Sequence, residues 1–145
     1  MERSQGGSFE GRLNLKDVQT NTLMSVIARI LDNKLAKDIT ILNISNVSVM
    51  ADYFIICSGS SSTQVRSLSG YVKETVKNLF GRYPNGEEND LKNRWNLLDY
   101  GDIVVHVLHE EERETYAIEK FWNHGYKVKE DDWMKDSEEF ADKLL

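Results

Sequence analysis

The chain has little cysteine, proline or histidine, and less positive charge than negative. Its 145 residues include one cysteine, Cys57, one proline, Pro84, and three histidines. A lone cysteine excludes an intramolecular disulfide. Set in the apolar run Tyr53-Phe54-Ile55-Ile56-Cys57, it reads as a small core residue of a protein in a reducing compartment. The histidines make no zinc set: His106 and His109 are three apart across a strand end and should not share a face, and no spaced cysteine or carboxylate completes them with His124. No stretch approaches the roughly 20 apolar residues of a membrane span. Met1 to Arg12 has no apolar signal core, and Glu2 and Glu10 argue against a transit peptide. A cytoplasmic location is therefore expected, with the sequons at Asn43 and Asn46 idle. Positive charge is also in deficit, with 18 Lys and Arg against 24 Asp and Glu, a formal net charge of −6 and a pI near 5.1. A general phosphate-backbone binder is excluded on that balance, since such affinity rests on cationic side chains. A basic partner suits the surface better.

What is present suffices for a folded core. At 40% hydrophobic and 29% charged, the chain has the composition of one globular domain that needs no disulfide or metal to hold it. The charge is segregated. Residues 16–84 hold eight basic and five acidic side chains, whereas 85–114 hold three and nine, and 126–145 hold four and seven.

Leu23, Val26, Ile27, Ile30 and Leu31 recur at helical spacing, with Leu35 continuing the stripe, and predict an amphipathic helix over about 16–37. Ile39–Ile44 and Tyr53–Cys57 read as strands. After the Ser58–Ser62 turn, Val65, Leu68, Val72, Val76 and Leu79 mark a second helix over 63–80, which Gly81 is placed to cap. Residues 81–93 read as a polar loop. Arg94–Asp99 and Ile103–Leu108 flank a tight Tyr100-Gly101 connection and predict a hairpin. A short helix over 111–123 ends near Gly125, and Tyr126–Val128 is a possible last edge strand. The acidic tail from Glu130, with Trp133, Phe140 and Leu144, is compatible with a helix or with partial disorder. Helices interleaved with single strands and a hairpin predict an α/β fold, a mixed sheet flanked by helices.

The most enzyme-like segment is Asp52 to Gln64, a strand followed by a serine-rich turn that opens a helix. Such a turn offers backbone N–H groups and a positive dipole end to an anion. Gly59-Ser60 after a strand is similar to the nucleotidyltransferase signature, but that chemistry needs two metal-binding carboxylates nearby, and none follows until Glu74. No Gly-Lys-Ser/Thr follows, so it is not a P-loop. N-capping by Ser or Thr is the favoured reading. His106, in Val104-Val105-His106-Val107-Leu108, suits a packing or interface role better than acid–base work. Asp99 and Asp102 flank the hairpin turn, where an Asp beside Gly usually caps the turn.

Strand alternation puts Trp95, Leu97 and Asp99 on one face and Asn96 and Leu98 on the other. Next door, Ile103, Val105 and Val107 oppose Val104, His106 and Leu108. Both faces of the hairpin thus carry apolar residues. Trp95 is equally compatible with a core position under a helix and with the aromatic anchor of a protein-binding patch.

Three stretches together resemble the ribosomal silencing factor, or Iojap-like, family. They are Asp52 to Arg66, then Trp95 to Leu108 with its Leu98-Asp99-Tyr100-Gly101-Asp102-Ile103-Val104-Val105-His106 core, then Arg113 to Trp122. They occur in order over about residues 16–125. The resemblance implies a nucleotidyltransferase-like core without the catalytic carboxylates, and a factor that is not an enzyme and needs no cofactor or metal. It implies binding to the large ribosomal subunit through its fourteenth protein, which sterically blocks joining of the small subunit and represses translation. It also implies little direct nucleic-acid binding, no membrane partner, and a homodimer when free. Carried onto this chain, the ribosomal-protein contact falls on Trp95, Leu97, Asp99, Tyr100, Asp102 and His106. Two positions depart from the family pattern: Glu88-Asn89 stands where Glu-Gly is usual, and Thr115 where a second Tyr is common. The organisation expected is a flexible lead-in over 1–15, the family-like domain over 16–125 and an acidic tail over 126–145. The competing readings are a nucleotide-binding or nucleotidyltransferase-like enzyme using the Ser58–Ser62 turn, and a homodimeric adaptor that buries Trp95 and Tyr100 between two copies.

Overall fold

A computed structural model describes residues 18–144, so the lead-in expected over 1–15 lies outside the described residues. Helix α1 (Thr20–Asn33) buries Leu23, Met24, Val26, Ile27, Ile30 and Leu31 along one stripe. It ends earlier than its apolar stripe suggests. Leu35 sits past the last turn at φ 66° and is 77% exposed, so it does not continue the stripe. The Leu35 and Ala36 N–H groups donate to the Asp32 and Leu31 carbonyls, the double closure that stops a helix through one left-handed residue.

Strand β1 (Lys37–Asn43) follows, with a bulge between Lys37 and Thr40 where Asp38 takes φ 52°. Strand β2 (Tyr53–Gly59) runs antiparallel to it. The Ser61 hydroxyl accepts from the Gln64 N–H and opens α2 (Ser62–Phe80), whose C-terminus closes on Gly81 at φ 64°. Both caps are where the sequence places them.

The stretch read as a polar loop contains a strand, β3 (Gly86–Asn89), fully exposed and without apolar alternation. Only its antiparallel pairing with β4 (Trp95–Asp99) makes it a strand, and that partner is invisible to local pattern. Strand β4 turns through Tyr100 and Gly101 into β5 (Ile103–His109). Helix α3 (Glu110–Tyr116) breaks at Ala117, at φ 47°, before α4 (Ile118–Phe121), so the single helix expected over 111–123 is two. Gly125 then brings the chain against β1, where a Cβ would lie 3.0 Å from the Asn43 carbonyl oxygen. This lets β6 (Tyr126–Lys127) pair with Leu42 and Asn43 as the edge strand.

The sheet order is β3-β4-β5-β2-β1-β6, antiparallel except for the central parallel pair β2/β5. It is the mixed, helix-flanked α/β sheet that the sequence predicts. One face packs Ile41, Ile55, Cys57, Leu98, Tyr100, Ile103, Val105 and Val107 against α1 and α2. The other packs Leu42, Phe54, Ile56, Val104 and Leu108 against Ile118 and Trp122.

The acidic tail is part of the first layer. Helix α5 (Glu130–Asp136) lies along α1 and leads into a 3₁₀ turn (Glu138–Lys143). Trp133 and Leu144 are buried in the main core, and Phe140 meets Phe80 edge-on at 5.3 Å. The Arg29 guanidinium donates to the Ser137 hydroxyl at 2.7 Å and to the Met134 carbonyl. Of the two readings left open for the tail, the helix holds and disorder does not. Truncating a buried Trp to Ala costs about 3–5 kcal/mol. Trp133→Ala should therefore lower the urea midpoint by a large fraction of the total stability, and an unmoved midpoint would mean that α5 is not part of the core.

Candidate functional site

The two sheet faces differ in how completely they are covered. On the second face the short α4 reaches β1, β2 and β5 but leaves the outward side of β4 half-covered, with Trp95, Leu97 and Asp99 in that state and Asn96 and Leu98 buried beneath the helices. Alternation along β4 and β5 is as expected from sequence.

Trp95 is held from two sides. Its ring lies 4.9 Å from that of Tyr116, itself 49% exposed, and its indole Nε1–H donates to His106 Nδ1 at 3.3 Å. Behind it the rings continue inward, His106 to Phe54 at 4.9 Å and Phe54 to Trp122 at 5.0 Å. Beside it Leu97 faces a groove of about 320 Å³ that Glu88, Asn89 and Asp90 complete. Register sets this up, because Glu88 pairs with Leu97 and so shares its face. The Asp90 carboxylate accepts from the Arg94 and Trp95 backbone N–H groups and shapes the turn into β4. The groove residues Glu88, Asn89 and Asp90, and Tyr116 against the Trp95 ring, were not among those expected from sequence. Only the β3–β4 pairing and the break at Ala117 bring them to Trp95.

The six residues expected to meet a partner do not form one surface. Trp95, Leu97 and Asp99 share the half-covered face, with Asp99 Oδ1 also accepting from Gly101 N–H at 2.8 Å to shape the turn. His106 lies under Trp95 and is 5% exposed. Tyr100 is 1% exposed on the opposite face, in the core against the helices, because alternation continues past Asp99 into the turn. Burial raises its phenol pKa, and the hydroxyl has no partner among the described residues. Asp102 is a clasp. Its carboxylate accepts from Thr20 at 2.7 Å and pairs with Arg82 at 3.3 Å, while its carbonyl accepts from the Asp52 and Tyr53 N–H groups.

The turn that resembled an anion site uses two of its donors locally. Ser60 N–H bonds Gln64 Oε1 at 2.7 Å, and the Gln64 N–H bonds Ser61. A cavity of about 520 Å³ lies at this end of the parallel strands, lined by Asp38, Ser58, Glu110, Arg113, Glu119 and Lys120. Its guanidinium is committed: Arg113 donates to Glu119, Ser58, Thr40 and the Asp38 carbonyl. Among the described residues, His109, Glu111 and Glu112 bring potential metal ligands together. Arg94 already pairs with both carboxylates, at 2.7 and 2.6 Å, and His109 Nδ1 caps α3 through the Glu111 N–H. Cys57 is buried, which pushes its thiol up to about 12 and makes it an inert core residue. No helix among the described residues is long and apolar enough to cross a membrane.

The family described as "ribosomal silencing factor during starvation" matches residues 17–143, beyond the end of the three sequence stretches and through α5. The ribosomal silencing factor of Bacillus subtilis is 38% identical over 101 residues, spanning 70% of this chain and 85% of that one. The counterpart in Halalkalibacterium halodurans is 36% identical over 100 residues, or 69% and 85% of the two chains. Among solved structures, a Chromobacterium violaceum protein superposes with a TM-score of 0.70 at 29% identity, covering 77% of this chain and 92% of its own. A Bacillus halodurans protein does so at 0.64 and 34%, covering 74% and 96%.

Desolvation lowers the His106 pKa from 6.5 to about 4. The unfolded ring therefore binds more protons than the folded one between those values, so stability is complete above pH 6.5 and falls as pH drops towards 4. The loss attributable to this ring should reach about 3 kcal/mol. Denaturation of wild type and His106→Asn from pH 7 to 4 should show the difference, and parallel curves would refute it.

Proposed function

The chain belongs to the ribosomal silencing factor family, and from that premise we propose that it is an anti-association factor. It binds the large ribosomal subunit through the subunit's fourteenth protein and sterically prevents the small subunit from joining, which represses translation. The action involves no covalent step and no cofactor or metal, so affinity and residence time set its strength. It works in the cytoplasm, with the ribosomes, and makes little direct contact with nucleic acid.

The observation that carries this reading is the half-covered face of β4. An aromatic anchor and Leu97 sit in a groove rimmed by Glu88 and Asp90, with Asp99 further along the same face, while Arg94, just before the strand, is paired with Glu111 and Glu112. An apolar centre with an uncompensated acidic rim is complementary to a basic protein surface. Trp95, Leu97 and Asp99 form the contact, joined by Glu88, Asp90 and Tyr116. His106 and Asp102 support it from within the fold, and Tyr100 belongs to the core. The same apolar face is covered by a second copy when the protein is free, giving a homodimer that opens on docking. Light scattering with and without the isolated ribosomal protein tests this, and a protein that is monomeric at all concentrations removes the homodimer.

Sedimentation of purified subunits with the protein should shrink the joined-ribosome peak in proportion to occupancy. An undiminished peak at saturation would overturn the mechanism. Trp95→Ala should weaken large-subunit binding by about 2 kcal/mol, roughly 30-fold. Glu88→Lys should act mainly on the association rate and flatten its salt dependence. Unchanged binding by both folded variants would move the contact elsewhere.

A further inference from the structure

We propose that His106 is a positioning residue: it fixes the indole of Trp95 for docking and does not itself touch the partner. The inference rests on the reading of the β4 face as the docking surface. His106 lies at the middle of β5, with Phe54 edge-on behind it and Trp95 in front, and is almost wholly buried. Its Nδ1 accepts the Trp95 Nε1–H, so Nδ1 carries no proton and the ring's single N–H is on Nε2. That Nε2 is buried with no hydrogen-bond partner among the described residues.

A buried donor without a partner is a penalty that a leucine or phenylalanine in this apolar setting would avoid. The histidine therefore works against stability at its Nε2 end. What it supplies and an apolar residue cannot is an acceptor directly beneath the indole. Tyr116 holds the ring on its other side. With both contacts, the half-exposed Trp95 has one orientation, and the ordering of a large side chain is complete before the partner arrives.

The orientation also decides what the surface displays. The only polar atom of the indole is turned inward, so the exposed part of Trp95 is its carbon framework and ring face. The complementary chemistry is an aliphatic or cationic side chain, the latter over the ring, and not a carbonyl or carboxylate seeking an N–H.

Nitrogen–proton spectra of the full chain test this. The Trp95 indole signal is identified by its loss in Trp95→Phe, among the three indoles of Trp95, Trp122 and Trp133. His106→Leu, which removes the acceptor, should shift that signal and speed its exchange with solvent. It should also weaken co-sedimentation with large subunits about 3- to 10-fold, the scale of one side chain losing its pre-set conformation, with thermal stability kept or raised. His106→Asn, which can place an acceptor oxygen where Nδ1 was, should recover most of both effects. An unmoved Trp95 signal and unchanged binding in folded His106→Leu would overturn the proposal. Long-range imidazole spectra of the wild type, which need no variant to fold, should show the proton on Nε2, and a proton on Nδ1 would overturn it equally. If Trp95→Ala binds large subunits as well as wild type, the docking reading fails instead, and the Trp95 signal still reports whether His106 holds the indole.

Discussion

Strands β2 and β5 run side by side in parallel at the centre of the sheet, and both are buried along nearly their whole length. A parallel pair needs cover on both faces, since the connection between its strands must cross the sheet and its residues have no wet side. Helix α2 makes that crossing, and with α1 and α5 it closes the first face. The second face is left to the eleven residues of α3 and α4, which cover the outer side of β4 only in part. The open side of β4 follows from this unequal cover. The face proposed for docking is the part of the sheet that this short second layer covers least.

The charged groups with the most hydrogen bonds are structural. Asp102 gathers Thr20 at the start of α1, Arg82 just past α2 and the N–H groups of Asp52 and Tyr53, so one carboxylate and its carbonyl tie both helices to the hairpin turn and the start of β2. Arg113 does the same at the other end, joining α3 and α4 to β1 and β2. Breaking either would leave a partly buried charge unpaired, which costs more than the pair itself contributes. These clasps explain why the acidic stretch 85–114 is less available to a partner than its composition implies. Part of its charge is spent within the fold, Asp102 on Arg82, Glu111 and Glu112 on Arg94, Glu87 on Lys73 and Glu110 on Lys37, while Glu88 and Asp90 line the groove.

The serine-rich turn keeps the outline of an anion site while part of its hydrogen-bonding capacity is used within the turn. The Ser60 and Gln64 N–H groups are taken by Gln64 Oε1 and the Ser61 hydroxyl, and the arginine lining the cavity donates to four groups. The steric action proposed for this chain requires none of this chemistry. It requires a rigid face, which the ring-on-ring contacts from Tyr116 to Trp122 provide.

Local pattern sufficed wherever the cause was local. The alternation of Trp95, Leu97 and Asp99 against Asn96 and Leu98, the Ser61 and Gly81 caps, and the buried thiol of Cys57 all follow from side-chain period or from a neighbour within four residues. The family, too, was legible in the three motif stretches. Tertiary structure decided the rest, because the deciding partner is far along the chain. Strand β3 exists only through β4, Leu35 is expelled when the helix closes on Ala36, and α5 is ordered by a core that Trp133 helps to complete. Tyr100 lies in the core and His106 beneath Trp95 for the same reason. Sequence states which face of a strand a residue occupies, but which face stays open depends on how far the covering helices reach.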